Sequence, residues 1–103
     1  MSIELSSSIS CVIKPGACVD IPTREHVALT EGYAAVLGLK RSYAKKGLSI
    51  GATIVENGYS GALGIQVMNH SNQIVEIYKG DKILNMIAFK EANDVINVAV
   101  KRG

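Results

Sequence analysis

No stretch of this 103-residue chain is long and apolar enough to cross a membrane. The longest apolar run lies around Tyr33–Leu39, and a spanning helix needs roughly 20 such residues. The opening residues, Met1-Ser2-Ile3-Glu4, carry neither the basic n-region nor the apolar h-region of a secretory leader, so no leader is expected. Cysteine is scarce too. Cys11 and Cys18 are the only two, too few for a disulfide framework. A hairpin centred on Pro15-Gly16 places Cys11 opposite Asp20 rather than Cys18. Both are therefore expected as core thiols in a reducing compartment, and a cytoplasmic location follows as the expectation. The formal charge of +2 is too small to mark a nucleic-acid-binding domain, so nucleic acid is not expected as a partner. His26 and His70 have no Cys, His or Asp at metal-ligand spacing, which argues against a zinc site. Neither a G-x-x-x-x-G-K-[ST] loop nor a G-x-S-x-G elbow occurs. There is no linker, repeat or low-complexity segment, so residues 1–103 read as one domain.

What the chain does contain is apolar sequence cut into short pieces. Hydrophobic residues make up 48% of it, which excludes disorder, and turn signals recur at the spacing of an all-β fold. Ile9–Ile13 alternates and stops at Lys14-Pro15-Gly16-Ala17, where Pro presets φ and Gly accepts a positive φ. Ala17–Pro22 and Glu25–Leu29 follow as separate strands, with Val27 and Leu29 pointing one way. Tyr33–Leu39 is continuously apolar and is expected to be a strand buried on both faces. Lys40–Gly47 breaks the β pattern and reads as one helical turn closed by Gly47. Leu48–Glu56 is expected as one strand with Ile50, Ala52 and Ile54 on one side. Asn57-Gly58 then signals a tight hairpin, because both residues accept positive φ. Ala62–Asn69 follows, with Leu63, Ile65 and Val67 facing one way and Gln66 the other. Ile74–Tyr78, a Lys79-Gly80-Asp81 turn, Lys82–Phe89 and Val95–Val100 complete the chain. About ten short strands in so few residues fit a small barrel or jelly roll, since closure removes sheet edges.

Three clusters could carry chemistry. Lys40-Arg41-Ser42-Tyr43-Ala44-Lys45-Lys46-Gly47 puts cations, a hydroxyl and free backbone N–H groups on a short helical turn, which is an anion site, or else a solvated basic turn. Glu56-Asn57-Gly58-Tyr59-Ser60-Gly61 puts a carboxylate and an aromatic ring at the mouth of a tight turn, where a ring could seat beside a base; the plain alternative is a hairpin with an exposed Glu. Lys79-Gly80-Asp81-Lys82-Ile83 reads locally as a turn leading into a strand.

In order and spacing these clusters resemble the dUTPase/dCTP deaminase superfamily. Its R-S-S-x-A-x-x-G-[IL] segment is similar to Lys40–Leu48, and its G-x-I-D-x-[DG]-[YF]-x-G hairpin to Thr53–Gly61. Its L-x-N-H-S is similar to Val67–Ser71, its I-x-x-G-D-R-I-[AG]-Q to Ile77–Asn85, and its I-x-P-G turn to Ile13–Gly16. The resemblance covers nearly the whole chain. It implies a compact jelly roll or distorted barrel of the trimeric dUTPase type, with one short helical turn near residues 40–47. It also implies a homotrimer binding a small-molecule nucleotide at subunit interfaces, with Mg²⁺ entering on the ligand's phosphates and not held directly by the protein. By the same resemblance Arg41, Ser42, Lys45 and Asn85 bind phosphate, and Asn57, Gly58, Tyr59 and Gln66 face the base and sugar. Glu56 is the catalytic base if the chain is an enzyme.

Several positions depart from the family pattern. Arg41 stands where the first phosphate-binding Ser is expected, and Lys45 where deaminases have an Arg. Glu56 replaces the Asp with which dUTPases activate water, and Asn85 replaces the Gln that ends the G-D-R-I segment. Gln66 falls where deaminases place their catalytic Glu, and Gln cannot accept a proton, so deamination is not expected. The Gly-rich C-terminal arm of dUTPases has no counterpart before Gly103. The extra methylene of Glu56 shifts the carboxylate by about 1 Å, a displacement that can cost around a hundredfold in rate. Arg41 and Lys45, in contrast, strengthen the grip on phosphate. The first expectation is therefore a protein that holds a nucleotide or nucleotide-derived signal without turning it over, for sequestration or sensing. Alternatives are a minimal dUTP diphosphatase releasing dUMP and pyrophosphate with Mg²⁺, and a trimeric scaffold with no ligand. So compact a version of the domain would suit a virus or phage.

Overall fold

The structure, a computed structural model, describes residues 2–90. It is an all-β jelly roll. In chain order the elements are β1 (Ser2–Ser6), β2 (Cys11–Ile13), β3 (Cys18–Ala28), β4 (Tyr33–Leu39), α1 (Arg41–Ala44), β5 (Leu48–Gly51), β6 (Ile54–Val55), β7 (Ser60–Asn69), β8 (Val75–Ile77) and β9 (Lys82–Lys90). A four-stranded sheet runs β1-β9-β4-β6, a three-stranded sheet β3-β7-β5, and β2 pairs with β8. All the pairings are antiparallel. The sheets share one core. Leu5, Ala35, Leu37, Val55, Leu84 and Met86 come from the first sheet, Ile21, Val27, Leu63, Ile65 and Val67 from the second, and Ile13, Val75 and Ile77 from the third. The expected strand Val95–Val100 lies outside the described residues.

Alternation is clearest in β7, where Leu63, Ile65 and Val67 are buried while Ala62, Gly64 and Gln66 face outward. That is the period-2 pattern of a half-buried strand. The Lys14–Ala17 turn forms as expected, with the Ala17 amide donating to the Lys14 carbonyl at 3.0 Å and Gly16 at φ 76°. It does not make a hairpin, however, because β2 pairs with β8 and β3 with β7. Cys11 sits opposite Ile77 and Cys18 opposite Met68, in different sheets, and both are free thiols. Cys18 is exposed, so it is not the core thiol expected. Cys11 is partly buried, and that burial pushes its thiol above the ordinary value.

Three further expectations are corrected. The two strands anticipated on either side of Pro22 are one, β3, carrying a register shift between Pro22 and His26. Pro22 is tolerated because β3 is an edge strand of its sheet and the missing N–H breaks no ladder there. β4 is not buried on both faces along its length: Ala34, Ala35 and Leu37 are buried, but Val36 is 39% exposed. Leu48–Glu56 is not one strand. Ala52 adopts a φ of 52°, a left-handed turn that costs a non-Gly residue roughly 1–2 kcal/mol, and there the chain passes from the three-stranded to the four-stranded sheet. Ile50 therefore packs against the core while Ile54 is exposed. The segment Ser2–Ser6, which carries little strand signal, pairs as β1 along β9.

Gly47 closes the helical turn as expected. Its amide donates to the Ala44 carbonyl at 3.0 Å and its carbonyl accepts from His70 at 2.9 Å. Its φ is 93°, and an added Cβ would meet the Ser71 Cβ at 2.9 Å. Gly47→Ala is therefore expected to cost about 1–3 kcal/mol through backbone strain and crowding. Chemical denaturation should show the loss as a lower midpoint with an unchanged slope.

Candidate functional site

The cationic turn has little to hold it as a helix. It is four residues long, its N-cap Lys40 makes no side-chain cap, and none of its residues is fully buried. Isolated helices of this length do not form, so the surroundings fix it. The Lys40 amide donates to the Ile83 carbonyl at 2.9 Å. The Lys40 ammonium pairs with Glu4, which also takes Lys82 at 3.4 Å. These two lysines hold the Glu4 carboxyl below its ordinary range, Lys40 first. The Tyr43 hydroxyl donates to Asp81 at 3.2 Å, and the Tyr43 ring lies 5.4 Å beneath the Lys46 ammonium. Burial, followed by the charge of Asp81, raises the Tyr43 phenol.

Arg41, Ser42 and Lys45 are exposed on this turn. Among the described residues none of the three makes an ion pair. The first amides of a helical turn have no partner within it and point outward. Asn85 lies nearby. In β9 it is opposite Gly38 of β4 and Glu4 of β1, on the outer face of the four-stranded sheet. The structure thus brings Arg41, Ser42, Lys45 and Asn85 to one end of that sheet, together with the Lys79–Lys82 turn.

Glu56, Asn57, Gly58 and Tyr59 are at the opposite end. The Tyr59 amide donates to the Glu56 carbonyl at 3.1 Å, and Gly58 has φ 75° while Asn57 does not enter the positive-φ region. This is a tight turn with glycine at its third position, not the expected hairpin, because β6 and β7 belong to different sheets. The Asn57 side-chain oxygen accepts the Gly32 amide at 2.8 Å, and the Leu29 amide donates to the Tyr59 carbonyl at 2.8 Å. These bonds tie the turn to its neighbour at Thr30–Gly32. The Tyr59 ring lies over Gly61, with its hydroxyl bonded to the Ala62 carbonyl. Glu56 is exposed and among the described residues takes no ion-pair partner.

The two ends are joined by β4, whose seven residues span about 20 Å. Gln66 belongs to neither end. It stands on the outer face of the three-stranded sheet, opposite Asp20 and Gly51. The sequence-predicted residues therefore form three groups on one chain and not one pocket. A cavity of about 850 Å³ is lined by Ile3, Leu5, Glu25, Val27, Tyr33 and Met86 among others, none of them a predicted site residue. Among the described residues no three His, Cys, Asp or Glu gather to hold a metal, and no helix is long and apolar enough to cross a membrane.

Sequence reasoning missed three polar anchors. Asn69 is a buried hub under the cationic turn. Asp81, read as a simple turn residue, accepts from both Tyr43 and the Tyr78 amide. Glu25 clamps β1 to β3, accepting the Ser6 amide at 2.8 Å and the Ser6 hydroxyl at 2.7 Å. Only Asn69, at the N of the L-x-N-H-S likeness, had a signal in the sequence. Burial pushes the Glu25 carboxyl up, but the Ser6 hydrogen bonds, helped by Arg24, outweigh it and hold the group below its usual 4.5. A lowered folded-state value means that its stabilisation is complete above the usual 4.5 and is lost as pH falls from there through the lowered value. Glu25→Gln should therefore narrow the stability gap to wild type below about pH 4.5, measured by denaturant midpoint against pH.

Comparison with known proteins agrees with the motif order. The family model "dCTP deaminase-like" matches residues 2–91. The chain is 30% identical over 94 residues to a dCTP deaminase of Aeropyrum pernix, covering 91% of this chain and 52% of that protein. It is 31% identical over 85 residues to the deoxyuridine 5'-triphosphate nucleotidohydrolase of Oryza sativa subsp. japonica, covering 82% and 50%. The chain thus spans about half the length of the curated relatives it matches. In fold it is similar to EIAV dUTPase, with a TM-score of 0.79 at 22% identity over 87% of this chain and 75% of that one. It is equally similar to a dUTPase from phage phi11 of S. aureus, described as coordinating a structural Mg(II) ion, with a TM-score of 0.79 at 20% identity over 88% and 77%. With its motifs in order and nearly all of its length matched, the chain belongs to the dCTP deaminase-like family of the dUTPase/dCTP deaminase superfamily.

Proposed function

We propose that copies of this chain build a nucleotide site between them and hydrolyse dUTP to dUMP and pyrophosphate. The observation that carries this reading is the placement of Arg41, Ser42, Lys45 and Asn85 at one end of the four-stranded sheet and Glu56–Tyr59 at the other. A single chain cannot close the two around one ligand. Copies meeting head to tail would bring the cationic end of one to the carboxylate end of the next, and a closed ring of three is the assembly its relatives' family implies. The outer face of the same sheet suits such contact: Ile54, Val36 and Ile87 lie side by side across β6, β4 and β9, with Phe89 beyond, 68%, 39%, 49% and 44% exposed. The ends also complement one another in charge, Arg41, Lys45 and Lys46 against Glu31 and Glu56, with Lys90 beside the latter pair.

In this site Arg41 would grip phosphate bidentately, with Ser42, Lys45 and Asn85 adding donors. Tyr59 and the side-chain amide hydrogens of Asn57 would face the sugar and base, and Gly58 would let the backbone approach them. Gln66, if the neighbouring copy brings it close, would offer an amide to the base but no acid–base chemistry, so the reading does not extend to deamination. Glu56 would take the proton of the water that attacks the α-phosphorus, and pyrophosphate leaves. Mg²⁺, carried in on the phosphates, would supply charge neutralisation there.

The test is pyrophosphate release from dUTP with Mg²⁺, which should be present in wild type and lost in Glu56→Gln. A second reading, retention of the nucleotide without turnover, is favoured by Glu56 in place of the family's Asp and Gln66 in place of the deaminases' Glu. Tight binding of dUTP with no release from any common deoxynucleotide would select it over hydrolysis. If no nucleotide raised the melting temperature, both readings would fail, because a ligand at 100 times its Kd adds about 2.7 kcal/mol.

A further inference from the structure

We infer that Tyr43 is a positioning residue: by donating its phenol hydrogen to Asp81 it sets the turn that presents Arg41 and Ser42 to phosphate. The inference rests on the nucleotide reading of that turn. In the family segment similar to Lys40–Leu48, Tyr43 falls on an unspecified position, so the resemblance gives it no role.

The turn needs such an anchor. Of its four residues Arg41, Ser42 and Ala44 are exposed, and only Tyr43 is partly buried, packed against the core. Its hydroxyl lies 3.2 Å from the Asp81 carboxylate oxygen that also accepts the Tyr78 amide at 2.9 Å. The Asp81 amide donates back to the Tyr78 carbonyl at 2.9 Å. Asp81 is thus fixed by its own turn before Tyr43 reaches it, and it is a rigid acceptor. Lys46 above the ring holds the phenol from the other side. Losing the hydroxyl would leave Asp81 still bonded to Tyr78, so the effect falls on the helical turn and not on the β8–β9 connection. Among the described residues the Arg41 and Ser42 side chains make no hydrogen bond or ion pair that would hold them in place, so a loosened turn spreads their positions and weakens their grip on phosphate.

Tyr43→Phe keeps the buried ring and removes only the hydrogen bond. Amide hydrogen exchange on the full chain should show residues 41–47 exchanging roughly tenfold faster, with β3 and β7 unchanged. The Kd for dUTP should rise by roughly tenfold while that for deoxyuridine, which has no phosphate, stays the same. Asp81→Asn keeps an acceptor for both partners and should remain close to wild type in both measurements. Unchanged exchange in Tyr43→Phe overturns the inference, as does an equal weakening of dUTP and deoxyuridine. If wild type binds neither compound, the nucleotide reading fails and the phosphate role falls with it. If wild type binds dUTP and Tyr43→Phe binds it equally well, the positioning role alone is overturned.

Discussion

An equimolar mixture of Arg41→Ala and Glu56→Gln chains, unfolded together and refolded, should regain about a quarter of the wild-type rate of pyrophosphate release, if each site is shared by two copies. Each variant alone should be down by roughly a hundredfold or more, the usual effect of losing a phosphate clamp or a general base. The fraction follows from counting. Each site takes its cationic end from one copy and its carboxylate from the next. In a random mixture half the copies keep an intact cationic end and half an intact Glu56, so both requirements meet at about one site in four. The outcome is diagnostic because a site contained in one chain predicts no recovery at all: every chain in the mixture carries one lesion. Activity that stays at the level of the single variants, with native mass showing mixed oligomers, would remove the shared site.

The geometry behind this expectation is simple. β4 separates the two halves of the proposed site by about 20 Å, and nothing within the described residues bends them together. The cavity near Glu25 and Tyr33 does not substitute for a shared site, because it is lined mainly by core-type side chains and contains neither Arg41 nor Glu56. A nucleotide with three phosphates needs cations at one end and a platform for its base at the other, and in the proposed reading the chain would offer each at a different end of one sheet. The apolar band of Val36, Ile54 and Ile87 between them is what a neighbouring copy would cover.

How much of this could be read from the sequence depends on how local each feature is. The turn at Gly16, the helical turn ending at Gly47 and the alternation of β7 rest on neighbouring residues, and all three were legible. The features that were not legible depend on distant partners. β1 has only Ile3 and Leu5 to mark it among serines, and its partner β9 lies at the far end of the described chain. The switch of sheets at Ala52 is made by an alanine in a left-handed conformation, which no propensity favours. Asn57-Gly58 is a strong hairpin signal, yet the strands on either side pair with β4 and with β3 and β5 instead. Motif order singled out Arg41, Ser42 and Glu56, but it could not show that they lie at opposite ends of one strand.

Asn69→Leu is expected to bring the domain close to unfolding at room temperature. The Asn69 side chain is buried, and every polar atom on it is used. Its amide nitrogen donates to the Ile13 carbonyl at 2.9 Å and to the Gln73 carbonyl at 2.8 Å, and its oxygen accepts the Ser71 amide at 2.9 Å and the Ser71 hydroxyl at 2.7 Å. Leucine has the same branched shape and number of side-chain heavy atoms but leaves these groups facing an apolar side chain. With about 1–3 kcal/mol for each buried group left unpaired, and some recovery through water, the loss should be about 3–5 kcal/mol. That is a large part of the roughly 5–15 kcal/mol that holds a domain together, and it corresponds to a fall in melting temperature of about 15–30 °C. Asn69→Asp separates the two halves of the hub. It keeps the acceptor for Ser71 but turns a carboxylate oxygen toward two carbonyls, which raises the pKa of the new group in the folded state. Its stability should then be greatest at low pH and fall as pH rises through that raised value, opposite in sign to the Glu25 effect. A variant as stable as wild type at all pH values would show that the amide hydrogens toward Ile13 and Gln73 are dispensable. The consequence reaches the cationic turn, because Ser71, held by Asn69, is the residue against which Gly47 packs.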